Sequence, residues 1–219
     1  FRSIRKLEVP VVSGNVSLYN ESRGQAIFPT PVVGGLGLLE DATKATRSAF
    51  TGEGLIVGLL GADTKGVDPH DLAGSEYLQR VHGRVEGSPK INIDLEKRVQ
   101  ALCRDAIERG LITSAHDCSE GGLMVTLAEC SIQSGLGFTG DFPVDSRWDV
   151  TLFGERQSRI VVGLLEDQWN ALVRVASDSD VPIVKLGYTG GDRFRLNGLV
   201  ALPVSQISEV WNKGLEAAS

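Results

Sequence analysis

Residues 111–132 read LITSAHDCSEGGLMVTLAECSI. The stretch passes from a short apolar strand at 111–114 through the polar turn His116-Asp117-Cys118-Ser119-Glu120-Gly121-Gly122. It ends in a helix whose buried side carries Leu123, Leu127 and residues 130–132. A strand feeding a helix across a Gly-Gly turn describes a sheet with helices laid on it, and both flanks continue the theme. Upstream lie a strand at 55–60 and helices at 72–82 and 94–109. The second helix shows a 3.6-residue stripe of Leu95, Val99, Leu102, Cys103 and Ala106. Downstream, strands at 150–153 and 159–165 flank FGERQS, and a helix covers 166–178. Strands at 181–187 and 193–196 follow, joined by YTGGD, and then a last helix at 203–212. Strands and helices alternate without strict βαβ regularity, so the expected class is α+β, a mixed β-sheet with flanking helices. The expected core holds Leu55, Val57, Leu59, Val99, Leu102, Leu127, Ile160, Val162 and Val184.

The first forty residues differ in character. Residues 1–8 read as the end of a helix, and Pro10 opens a strand running to Val12. The polar loop SGNVSLYNES occupies 13–22. The run at 32–39 is almost continuously apolar, the pattern of a strand covered on both faces. Residues 40–54 are polar and form the candidate domain boundary.

Composition narrows the function classes. The 219 residues are 42% hydrophobic and 23% charged, the profile of a globular protein. A net charge of −6 argues against a nucleic-acid surface. No apolar run approaches the ~20 residues of a membrane span. FRSIRKLEVPVV has no signal-peptide core and no starting Met, so the chain reads as an excised piece of a larger protein. Three cysteines without CxxC spacing fit reduced, buried thiols in a cytoplasm.

Each motif has a plain reading beside a functional one. Residues 135–140, GLGFTG, match G-x-G-x-x-G, but a helix precedes them, so they read as a helix cap and turn. His116-Asp117 are neighbours that point to opposite faces; Asp117 or Ser119 reads as the cap of a helix beginning near Glu120. Gly121-Gly122 allows close approach to that helix start, where free N–H groups favour anions. FGERQS reads as a hairpin or as a cleft-facing loop. In SGNVSLYNES, Gly14 permits close approach to a phosphate, and Asn15 offers a neutral oxygen suited to Mg²⁺. Ser17 can donate to a substrate oxygen. Residue chemistry alone favours a turn here.

SGNVSLYNES with PTPVVGGLGLLED resembles the second half of the phosphoribosylformylglycinamidine synthase family. The likeness continues through LAGSEYL (72–78), AHDCSEGGLMVTLAE (115–129), LFGERQSRIVVGL (152–164) and KLGYTGGDRF (185–194), in order along the chain. Ala73 stands where the family more usually has a second glycine. The resemblance implies a duplicated architecture. Residues 1–41 would end the second N-terminal-type, ATP-binding domain, and 42–219 would form the second C-terminal-type domain. It implies that Gly14 contacts ATP, Asn15 binds Mg²⁺ and Ser17 contacts formylglycinamide ribonucleotide. The implied reaction is an ATP-dependent amidation of that ribonucleotide in purine biosynthesis. Ammonia from a separate glutaminase subunit is used, with a small accessory subunit. The family's catalytic histidines, carboxylate ligands and ATP lysine lie upstream, so these residues by themselves are expected to be inactive. Two other readings stand beside it: an enzyme like aminoimidazole ribonucleotide synthetase, or a non-catalytic half that holds a fixed nucleotide.

Overall fold

The computed structural model describes residues 6–16, 21–27, 30–61, 64 and 68–217. The chain divides into two compact units, Phe1–Ala45 and Thr46–Ser219.

In the first unit, β1 (Val11–Asn15) pairs antiparallel with β4 (Val32–Gly35), and β2 (Glu21–Ser22) pairs with β3 (Gln25–Ala26). The apolar run at 32–39 is not a long covered strand, as its composition suggested. Only its first four residues are strand, and Val32, Val33, Leu36, Leu38 and Leu39 are exposed. Among the described residues, this unit offers no further layer to bury them.

The second unit is built on a seven-stranded mixed sheet. Its strands are β5 (Ile56–Gly61), β6 (Ser114–Asp117), β7 (Phe138–Gly140), β8 (Arg159–Leu164), β9 (Ile183–Thr189), β10 (Arg193–Leu196) and β11 (Val200–Pro203). They lie in the order β11-β10-β7-β9-β5-β8-β6, and only β7 and β10 run parallel. The helices are α1 (Glu76–His82), α2 (Ile93–Glu108), α3 (Gly122–Ser134), α4 (Trp148–Phe153), α5 (Trp169–Asp178) and α6 (Val204–Ala217).

Alternation along the central strands sorts side chains onto two faces. Val57, Leu59 and Val161 join Leu123, Leu127 and Phe138 in one buried cluster. Ile56, Leu60, Val162 and Leu164 join Val99, Leu102 and Leu172 in the other. Of the expected core, Leu55, Val57, Leu59, Val99, Leu102, Leu127 and Val162 are buried, while Ile160 and Val184 pack on the clusters from their margins. Cys103, Cys118 and Cys130 are buried free thiols.

Several elements differ from the sequence reading. Residues 111–113 are not strand. Gly110, at φ 67°, ends α2, and the Leu111 N–H reaches back to the Ala106 carbonyl at 2.9 Å. That closure brings apolar residues over a helix end, and β6 starts at Ser114. Residues 150–153 belong to α4, not to a strand. Val150, Thr151 and Leu152 are buried in succession, which breaks the alternation of a half-covered strand. FGERQS therefore joins a helix to β8, and no hairpin exists there. Gly135, at φ 73°, caps α3 as expected, and β7 follows it. The methyl of Ala73 packs where a Cβ on Gly87 would come within 2.6 Å.

Candidate functional site

The loop expected to hold ligands lies only partly within the described residues. Gly14 and Asn15 are the last residues of β1, opposite Val33 and Val32. A Cβ on Gly14 would stand 2.7 Å from the Val32 carbonyl oxygen, so the glycine is required by strand pairing itself. It lies within an exposed strand. Asn15 is exposed at the strand end. Ser17 lies outside the described residues. Among the described residues no group of three His, Cys, Asp or Glu side chains could hold a metal. Asn15 supplies one neutral amide oxygen, which fits an ion that keeps waters and phosphate oxygens as its other ligands.

The second unit contains a polar cleft of about 450 Å³. The segment 117–120 forms one wall, residues 155–159 another, and Glu96 and Gln100 of α2 a third. The 155–159 wall is fixed from several sides. Glu155 Oε1 accepts from the Gly121 N–H and from the Glu76 N–H, each at 2.8 Å. The Glu155 N–H donates to the Asp71 carbonyl at 2.9 Å. Ser158 Oγ donates to Glu96 Oε2 at 2.7 Å, and Gln100 Nε2 donates to Glu96 Oε1 at 2.6 Å.

Arg159 closes the inner end of this wall. It is buried, and its guanidinium donates to the carbonyls of Gly154, Thr151 and Arg156. Two of these are orphan carbonyls at the end of α4, where a cation meets the negative end of the helix dipole. Burial lowers the Arg159 pKa from its usual value.

The helix start at Gly121-Gly122 differs from expectation. Neither Asp117 nor Ser119 caps α3 with its side chain; Gly121 takes the N-cap position at φ 77°. Ser119 Oγ instead donates to Asp117 Oδ2 at 2.5 Å. The helix begins at Gly122, and a Cβ there would lie 2.5 Å from the Gly154 carbonyl oxygen. The acceptor for the free N–H comes from Glu155, 34 residues away. Both loops are visible in the sequence but not their joining, because local spacing carries no sign of an acceptor supplied by the loop entering the neighbouring strand β8.

On the outer side of β6, His116 Nε2 lies 3.4 Å from Glu129 Oε2. Burial pushes the Glu129 carboxyl up, while His116 pulls it the other way. Burial likewise pushes the Cys130 thiol up to about 12, so it is an inert part of the core.

This sheet and its glycine-tied loops define a known class: the chain belongs to the AIR synthase related proteins, with residues 52–197 matching the C-terminal domain of that family. Within that class, the chain is 45% identical over 216 residues to the phosphoribosylformylglycinamidine synthase subunit PurL of Thermomicrobium roseum. The match covers 95% of this chain and 28% of that relative, so the chain spans little more than a quarter of its length. This bears out the resemblance read from the motifs. The solved T. maritima PurL complexed with FGAR shares the fold, with a TM-score of 0.65 at 14% identity over 82% of this chain and 31% of that one. The same protein complexed with ATP gives 0.59 at 15% identity, over 81% and 28%. The structure of PurLQS from Thermotoga maritima gives 0.59 at 16%, over 81% and 29%. No helix among the described residues is long and apolar enough to cross a membrane.

Proposed function

We propose that this chain forms part of a phosphoribosylformylglycinamidine synthase of the cytoplasm, a ligase of purine biosynthesis. The observation that carries the reading is the 45% identity to PurL across nearly the whole chain, both units included. The fold shared with PurL complexed with FGAR and with ATP supports the same substrates here. The enzyme would transfer the γ-phosphoryl group of ATP to the glycinamide carbonyl oxygen of formylglycinamide ribonucleotide, leaving the formyl group untouched. Ammonia then attacks that carbon, its C–O bond breaks, and phosphate leaves with the oxygen to give the amidine.

The chain's own residues would bind and orient. Gly14 brings the backbone of β1 near the ATP phosphates, Asn15 offers its amide oxygen to Mg²⁺, and Ser17 donates to the ribonucleotide. Mg²⁺, when bound, neutralises charge on the transferring phosphoryl group. Residues 1–41 would complete the ATP-binding domain, with 42–219 as its C-terminal-type partner. A glutaminase subunit and a small accessory subunit are the proposed partners, a reading supported by the PurLQS structure.

The test is an assay of the complete protein with formylglycinamide ribonucleotide, ATP, Mg²⁺ and ammonia. Formation of formylglycinamidine ribonucleotide and ADP is the expected result. Turnover of formylglycinamidine ribonucleotide instead would assign the chain to a synthetase of the aminoimidazole ribonucleotide type. Nucleotide released only on denaturation, without turnover, would mark a structural half.

A further inference from the structure

We infer that Glu155 is a positioning residue, whose carboxylate oxygen Oε1 holds two walls of the polar cleft in register by accepting from the starts of two helices at once. Its reaction role rests on the function proposed above; its structural role does not. Two segments distant in sequence meet on this side chain, and a further bond holds its backbone. Gly121 and Glu76 both donate to Oε1 at 2.8 Å, and the backbone N–H of Glu155 donates to Asp71 at 2.9 Å.

The first turn of a helix leaves N–H groups without internal partners, and a carboxylate there gains from both hydrogen bonding and the helix dipole. One oxygen serving two such ends satisfies two of those donors together. Ser75 already caps α1 by accepting from Leu78 at 3.2 Å, so Glu155 adds the missing bond at Glu76. For α3 no side chain within its own segment accepts, and Glu155 is the acceptor shown.

The surroundings leave little slack. Gly121 and Gly122 are buried, and the Gly154 carbonyl comes so near Gly122 that a side chain cannot enter. The cleft-facing groups Ser119 and Gln157 flank this junction directly. Moving Glu155 by an ångström shifts both walls, which is the scale on which an oriented site loses rate.

The test uses the complete protein and reads amide hydrogen exchange in segments 74–78 and 119–123. In Glu155→Ala both segments should exchange roughly tenfold faster, as expected for a lost charge-assisted acceptor, while β5 and α5 keep their protection. Glu155→Gln retains an acceptor oxygen and should restore most of the protection in both. Should the Ala variant fail to accumulate, Glu155→Asp keeps the charge but shortens the reach, and protection should fall in at least one of the two segments. Unchanged exchange in both segments, or faster exchange spread evenly over the unit, overturns the assignment. In the amidation assay, Glu155→Ala should lower kcat/KM at least about tenfold with partial rescue by Gln. Wild-type kinetics in both variants would remove the link to the reaction. Were the wild-type protein to show no amidation, the proposed function would fall, and the exchange data would still decide the positioning role.

Discussion

Gly61 and Ser158 meet with no room for a side chain: the Ser158 carbonyl oxygen occupies the place where a Cβ on Gly61 would stand. Gly61 lies at φ 100° and Ser158 at φ 64°, so both ends of the contact use left-handed backbone. For serine this conformation costs free energy, and the Ser158–Glu96 hydrogen bond at 2.7 Å offsets part of it. The last residue of β5 and the loop entering β8 thus define each other. Gly61→Ala combines an unfavourable φ with a steric clash and should lower stability by about 3 kcal/mol in chemical denaturation. A loss below about 1 kcal/mol would show that the loop moves aside freely.

Arg159 gives a second test. Its planar fork serves several carbonyls at the end of α4, and lysine offers a single point of donation. Arg159→Lys should destabilise the unit by about 1–3 kcal/mol, the cost of buried acceptors left without partners. Thermal unfolding at matched pH measures this directly. A Lys variant as stable as the wild type would mean that water replaces the guanidinium.

The sequence made the layers of the second unit legible, because β5 and β8 are nearly continuous apolar runs and α2 and α5 carry a 3.6-residue apolar stripe. It misled at Val150, Thr151 and Leu152. β-branched composition there resembles strand, yet these three consecutive residues are the buried positions of a short helix. β7 and β11 escaped because they are short; Phe138–Gly140 is hidden among glycines that also cap a helix. The two halves of the cleft were each visible as polar loops. Their junction was not, since the Glu155–Gly121 bond depends on strand order and not on neighbouring residues. The resemblance implies that Gly14 contacts ATP, and the structure adds a packing requirement for glycine there in the Val32 carbonyl.

Glu129 allows a pH-dependent prediction. Burial raises its pKa from the usual 4.5, outweighing the opposing pull of His116, with Asp117 and Glu120 adding to the rise. A carboxyl with a raised folded-state pKa contributes stability that is fully present below its unfolded pKa. That contribution is lost as the pH rises through the folded value. Glu129→Gln removes the penalty of the ionised form, so it should raise Tm at pH 8, with the gain vanishing near pH 4. A Gln variant less stable than wild type at pH 8 would show that the His116–Glu129 pairing at 3.4 Å outweighs the burial.

Asn15 stands at the end of β1, where the chain leaves its pairing with Val32. As a turn residue its side chain would be dispensable; as a Mg²⁺ ligand it would not. If Asn15 holds Mg²⁺ as proposed, Asn15→Ala in the complete enzyme removes one oxygen from an ion that neutralises charge on the transferring phosphoryl group. Loss of a charge-stabilising contact of this kind costs about 3 kcal/mol, a fall in kcat of roughly 10²–10³. Water can take the vacant position, so raised Mg²⁺ should restore part of the rate. Asn15→Asp keeps an oxygen ligand and should be milder at saturating metal, while its added charge raises the KM for ATP. The decisive comparison is kcat against Mg²⁺ concentration for wild type, Asn15→Ala and Asn15→Gly. Because Asn15 is exposed, neither variant should disturb folding. Near-wild-type turnover in Asn15→Gly at every Mg²⁺ concentration would return the residue to the role of a strand end.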